Sequence, residues 1–323
     1  MSPLNLLLLA AEAALASAAL PLLAALLVRA FPHSAARRRL VWATMFAVLL
    51  ALPLAAALSP SLAVITVHVP VPVVPQPVVV APPSADPPLS ATTAALLIGL
   101  YAWIVGALWI VGRSVVGLVR LQWLKRGAKP APLARLPLCL PRGPRVLLSP
   151  ECAGPMTWGV LRPVVMLPDD ALDWPAPKLE AALRHELAHV KARDCLVQTL
   201  ALLVCALYWP NPLIRRAADS LRREAEAAAD DAVLASGMRP SDYASLLLDL
   251  ANDWAGKRPS ELEMAMAQPP ILTERVQSIL SPEAQRTGAT TMDAFKLALV
   301  GGVALTALAL ARPSVARSSS RLA

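Results

Sequence analysis

Two stretches of this chain hold no charged side chain at all: nineteen residues from Leu40 to Leu58, and twenty from Thr93 to Gly112. At 1.5 Å of rise per residue each makes a helix close to 30 Å long, about the thickness of a bilayer's hydrocarbon core. Leu6–Val28 adds a third such run, interrupted only by Glu12, and Lys296–Ala311 a shorter fourth in which Lys296 snorkels to the interface. The N-terminal run is no ordinary signal peptide, because it lacks a basic leading region and a second apolar run follows at once. Composition agrees: 56% of the residues are hydrophobic and mean hydropathy is +0.55, above the usual level of a soluble domain. A membrane protein with four spans is expected.

Charge sets the orientation. The first connecting loop carries Arg29, Arg37, Arg38 and Arg39, whereas the second, residues 59–92, has no Lys or Arg and only Asp86. The positive-inside rule then puts the N-terminus outside, the first loop in the cytoplasm and the second loop outside. Eight Lys/Arg and no acid lie between Arg113 and Arg145, a cytoplasmic flank suited to anionic lipid. No nucleic-acid recognition motif accompanies them, so direct nucleic-acid binding is not expected. The arginines after Ala311 fall outside in this scheme, against the rule. The external loop is dense in proline and valine, which favours an extended spacer over a folded receptor, and leaves His68 solvated. Cys139, Cys152, Cys195 and Cys205 have no metal-type pair spacing and read as reduced thiols.

Against this apolar background stands "ALRHELAHVKARD", Ala182 to Asp194. His185 and His189, two of only four histidines, are one helical turn apart and project to one face. Two imidazoles at that spacing hold a zinc ion, and Glu186 beside the first is placed to take a proton from the attacking water. Chance supplies such a triplet rarely in a chain with so few histidines, and a helix seldom buries two imidazoles and a carboxylate without partners. A third ligand is needed. The next helix, "PLIRRAADSLRREAEAAADDAVLASG", offers Glu224, Glu226, Asp230 and Asp231, and Gly237 is expected at its C′ position. Glu226 has an acid one turn on, Asp230, able to orient a ligating imidazole, while Glu224 points about 200° away and is expected in solvent. Spacing alone leaves both glutamates open.

Between these helices lies "CLVQTLALLVCALYWPNPL", nineteen uncharged residues. Were it a fifth span, His185 and Glu226 would end on opposite sides of the bilayer and share no metal. The run before Pro210 makes only about 22 Å of helix, so a buried or interfacial helix is expected instead.

"HELAHVKARD", "LYWPNPLI" and "EAAADDAVLASG" together resemble the integral-membrane zinc metallopeptidases of the BlaR/MecR type, the beta-lactam sensor-transducers and their relatives. "GPMTWGVLRPVVMLP" is similar to the family's segment before the zinc helix, and "LTERVQSIL" to its segment before the last span. The resemblance implies a gluzincin-like site: one Zn2+ held by His185, His189 and Glu226, with Glu186 as catalytic base and Asp230 as the acid one turn beyond the ligand glutamate. It also implies strand structure in "TWGVLRPVVML" beside the cleft. Many relatives have cysteine where Ala229 stands, a position that holds no metal. The sensor-transducers carry a penicillin-binding domain after the last span, whereas about a dozen residues follow Ala311, so beta-lactam sensing is not expected.

The resulting fold expectation is mainly α: a four-helix transmembrane region with an inserted cytoplasmic zincin-like α+β metallopeptidase domain. Residues 1–119 would hold three spans (6–28, 40–58, 93–112), residues 120–292 the peptidase domain, and residues 293–323 the fourth span with a short external tail. The expected function is a zinc endopeptidase of the cell membrane that cuts a cytosolic protein, by analogy a transcriptional repressor, or itself, in transmembrane signalling. A separate sensor protein would then supply the stimulus. A housekeeping membrane protease of the prenyl-peptide-processing type shares the zinc helix but would need more spans. A non-catalytic adaptor with structural zinc would have no use for Glu186.

Overall fold

The computed structural model describes residues 3–32, 34–58, 91–138, 143–256, 269–281 and 288–310. The Pro-Val stretch up to residue 90 with His68, Cys139, and the tail from residue 311 lie outside the described residues.

The chain opens with three helices, α1 (Pro3–Val28), α2 (Ala35–Leu58) and α3 (Ala91–Arg126). Each is at least as long as the apolar run that announces it, and α3 runs on well past Gly112 into the basic strip. Among the described residues two segments are long and apolar enough to cross a membrane, Ala35–Ala55 in α2 and Thr93–Trp123 in α3. They differ in surroundings. Trp42, Met45, Phe46 and Leu49 of α2 are buried, whereas Leu97, Ile98, Tyr101, Leu108 and Trp109 of α3 are exposed. A continuous apolar surface of that kind is stable only against lipid or a partner.

A four-stranded sheet follows: β1 (Lys129–Pro130), β2 (Arg145–Ser149), β3 (Met156–Trp158) and β4 (Val164–Pro168), in the order β1-β2-β4-β3. Only the β2–β4 pair is parallel. β4 is buried along its whole length, which explains its unbroken "VVMLP" where a half-exposed strand would alternate. The β3–β4 turn needs glycine at Gly159, which takes a φ of +105° and where a Cβ would stand 2.7 Å from the Arg162 carbonyl oxygen. β3 is left at the sheet edge.

Six α-helices complete the described chain: α4 (Ala176–Ala192), α5 (Asp194–Leu207), α6 (Pro212–Leu234), α7 (Pro240–Gly256), α8 (Pro269–Leu280) and the final α9 (Thr291–Leu310). Leu179 and Leu183 of α4 pack on Val165 and Leu167 of β4, which fixes the histidine helix on the sheet. Each such fully buried aliphatic side chain is worth about 1.5–3 kcal/mol. On another side Ala181 meets Val233 and Leu234 of α6, Tyr243 of α7 and Ile279 of α8. A third core joins α2 to α5 and α6 through Phe46, Leu49, Val204, Ile214 and Leu221.

The apolar run between the two site helices is α5, followed by a turn at residues 208–211 before α6 doubles back. Asn211 caps α6 by accepting from the Leu213 amide, with Pro212 at the first helical position. The turn's polar groups are used up on the middles of three helices. Tyr208 donates to the Leu49 carbonyl, Trp209 to the Trp103 carbonyl and the Asn211 amide to Ser17 Oγ. At its far end α6 stops at the Ala235 cap. Gly237, at φ +96°, therefore sits two residues beyond the cap and not at the C′ position expected for it.

Candidate metal centre

His185 and His189 face the same way from α4 because they are one turn apart, and α6 crosses that face with Glu226. The two Nε2 atoms are 3.2 Å apart. Glu226 reaches both rings, with Oε2 3.4 Å from His185 Nε2 and Oε1 3.6 Å from His189 Nε2. Ligands bound at about 2.0–2.1 Å in a tetrahedron stand about 3.3 Å from one another, so these three separations match three corners around one ion. Two imidazole nitrogens and one carboxylate are a donor set of the open, catalytic kind of zinc site. Glu186, on the same helix beside His185, is buried. Its carbonyl accepts from Thr157 Oγ1 at 3.2 Å, which ties the histidine helix to edge strand β3.

Each imidazole has its outer nitrogen engaged. His185 Nδ1 lies 3.2 Å from Asp230 Oδ1 and 3.2 Å from the Tyr243 hydroxyl, which itself donates to Asp230 at 2.7 Å. Arg275 of α8 clamps the same carboxylate with Nε to Oδ2 at 2.9 Å and Nη2 to Oδ1 at 2.7 Å, and its Nη1 stands 3.3 Å from Glu226. His189 Nδ1 is 2.7 Å from Asp194 Oδ2. Asp194 gets there because Arg193 adopts the left-handed conformation (φ 55°, ψ 39°), ending α4 and starting α5 at once. That conformation costs a non-glycine residue about 1 kcal/mol, and here it returns the next side chain to the metal-facing histidine.

The electrostatics follow from burial and charge. Burial by itself lowers the His185 pKa, but the hydrogen bonds to Asp230 and Glu226 outweigh it and push the value up to about 10. Burial also lowers that of His189, where the Asp194 hydrogen bond prevails and raises it. For Asp230 burial raises the pKa, yet the Arg275 charge and the His185 contact hold it down at about 2. Glu226 is likewise held well below the carboxylate range, chiefly by Arg275 against the opposing effect of burial. These charges favour ionised carboxyls at Glu226 and Asp230 and a protonated His185. A divalent cation can replace that proton.

Of the residues singled out by spacing, the structure gathers His185, His189, Glu226 and Asp230 at one point, with Glu186 alongside. Glu224 is turned away, as its angle on the helix requires, but it is not in solvent. Its carboxylate accepts from Arg38 of α2 at 2.8 Å, and only 17% of its side chain is exposed. The amphipathic pattern of α6 does not reveal this, because α2 packs along the charged side of the helix as well. Asp194, Tyr243 and Arg275 escaped the sequence reading. Asp194 lies five residues after His189, off that face of any continuous helix, and only the break at Arg193 brings it round. Tyr243 and Arg275 are 58 and 90 residues from His185, with no local pattern linking them to it. Among the described residues no cysteine joins a metal-type group, and burial pushes the Cys195 thiol up to about 11.

Residues 8–279 match the family described as BlaR1 peptidase M56. Over 86 residues the chain is 37% identical to "Regulatory protein BlaR1" of Bacillus licheniformis, a stretch that covers 27% of this chain and 14% of that protein. The family match takes in the histidine helix, the sheet before it, the helix that carries Glu226 and the arginine that clamps Asp230, and on that extent the chain belongs to the BlaR1 peptidase M56 family.

Proposed function

We propose that the protein is a membrane-embedded zinc endopeptidase that cuts a cytosolic protein as part of transmembrane signalling. The observation that carries this reading is the convergence of His185, His189 and Glu226, all donor atoms within 4.8 Å of one another, directly beside the buried Glu186. Zinc held there supplies Lewis acidity that polarises the scissile carbonyl and acidifies the attacking water. Glu186 takes the proton from that water and returns it to the leaving amine, so that peptide and water become a carboxylate and an amine. Asp230 and Asp194 keep the two imidazoles turned toward the ion by holding their Nδ1 atoms. An extended substrate adds to the free edge of β3, which lies against the zinc helix through Thr157. Its resemblance to the beta-lactam sensor-transducers points to a transcriptional repressor as substrate, or to the chain itself, with a separate protein supplying the signal.

In the bilayer α1, α2, α3 and α9 are the four spans, with the N-terminus outside and the metal centre on the cytoplasmic side. α5 measures about 21 Å and falls short of a crossing. The contacts of its terminal turn support a re-entrant course. Ser17, Leu49 and Trp103 each lie about 14–17 Å from the cytoplasmic ends of their apolar runs, at 1.5 Å per residue. The hairpin of α5 and α6 therefore enters from the cytoplasm, reaches the middle of the bundle and returns. Its turn is tolerated there because its polar groups are satisfied by protein.

Comparison of the proteins of cells carrying wild type and Glu186→Gln tests the function. One cytosolic protein should be cleaved in the first and stable in the second, while zinc content stays equal. Identical proteomes under inducing conditions would overturn the reading.

A further inference from the structure

The three consecutive arginines that set the orientation, Arg37, Arg38 and Arg39, are not a common lipid-facing flank. Each makes a different pair. Arg37 Nε meets Asp293 of α9 at 3.1 Å, Arg38 meets Glu224 of α6, and Arg39 Nη1 donates to Asp194 Oδ1 and, at 3.3 Å, to the Ala192 carbonyl. The third pair is the best shielded, with side-chain exposures of 12% and 10% against 33% and 20% for the first. Asp194 divides its two oxygens between Arg39 and His189. We infer that Arg39 is a positioning residue for the metal centre, through which α2 sets the orientation of the ligand His189. This inference rests on the zinc reading above.

The physical chain is short. A neutral imidazole carries one N–H, and when Nδ1 donates to a carboxylate, the Nε2 lone pair is left for the metal. That carboxylate must be held still to hold the ring still. Arg39 does so from one side, while its contact with the Ala192 carbonyl docks the C-terminal end of α4 on α2. It does this at a cost, since Arg39 Nε is buried without a partner among the described residues. α2 also packs on α1, α5, α6 and α9, so any shift of the span bundle that moves the start of α2 must move Arg39 relative to Asp194. This ion pair thereby joins the membrane helices directly to the partner of a ligand histidine.

The test uses the full chain in detergent, with zinc affinity read by chelator competition and site geometry by the visible spectrum of the Co2+-loaded protein. Arg39→Gln should weaken zinc about 10-fold, the low end of what such outer contacts contribute, and alter the Co2+ bands. Arg39→Lys should recover much of the loss, because a single nitrogen makes both contacts. Arg37→Gln should leave affinity and spectrum as in wild type. Asp194→Asn should also weaken zinc, and adding Arg39→Gln to it should have little further effect, since both act through one contact. Wild-type affinity and an unchanged spectrum in Arg39→Gln, an equal loss in Arg37→Gln, or full additivity in the double variant would overturn the inference. Wild-type protein that takes up no zinc would instead sink the metallopeptidase reading. If Arg39→Gln fails to fold, the Arg39→Lys and Asp194→Asn comparison decides alone: an undiminished affinity in Asp194→Asn overturns the proposal.

Discussion

Glu224 and Glu226 are two positions apart on one helix and have opposite duties, which makes them the sharpest pair to separate by mutation. Glu226→Ala removes a donor from the centre and should release zinc under mild chelation. Glu224→Ala should keep zinc and lose about 1 kcal/mol of stability, because it breaks a half-buried pair with Arg38. Chelator-resistant zinc in Glu226→Ala would place the third ligand elsewhere. The histidines make a second prediction, with a sign. In the metal-free protein His185 is held up to about 10 and so carries its proton at pH 7. Zinc uptake should therefore release protons, and the heat of binding should change with the ionisation enthalpy of the buffer at constant pH. A buffer-independent heat would show that the ring is already neutral.

Helix packing depends on a few positions where size decides. A Cβ at Gly106 would stand 2.4 Å from the Trp209 ring, so the turn after α5 seats this closely on α3 because that residue is glycine. The same contact carries two reciprocal hydrogen bonds, from Trp103 to the Leu207 carbonyl and from Trp209 to the Trp103 carbonyl. Gly106→Ala should push the helices apart, cost on the order of 1–3 kcal/mol as an overpacked contact does, and change the tryptophan fluorescence. Unaltered melting and emission would mean that α5 does not dock on α3 in the folded protein. Helix existence was readable because apolar runs and a 3.6-residue pattern are local properties. The start of α6 was readable too, at Pro212. The break at Arg193 was not, since nothing in "VKARDC" forbids helix, and the left-handed residue is held there by the packing of α4 and α5 on different neighbours.

The bundle as a whole must reconcile two demands, giving its long apolar helices a suitable surround and bringing distant residues to one point. Reporter fusions near Ala81 should report outside and fusions near Gly237 inside, and cysteines placed at Trp209 or Asn211 should resist impermeant reagents from the external face. An external signal at Gly237 would turn α5 into a span and separate His185 from Glu226, which the observed 3.4 Å contact does not allow. Family membership and the shared face of His185 and His189 on α4 were legible along the chain for a physical reason. Four-residue spacing, apolar length and loop charge are each complete within a few turns of helix. For the same reason the facing pair of His185 and His189 needed no fold to be seen, whereas spacing left Glu226 and Glu224 both open until α6 was packed across α4. What surrounds them did not show. Asp194 depends on a backbone reversal, and Tyr243, Arg275 and Arg39 arrive from helices 58 to 146 residues away from His185. Long-range ion pairs leave no periodic trace, because either partner can sit on any exposed-looking position of its own helix. Arg38 and Arg39 read as membrane flank, and Glu224 as a solvated charge, until α2 was packed along α6 and against the start of α5.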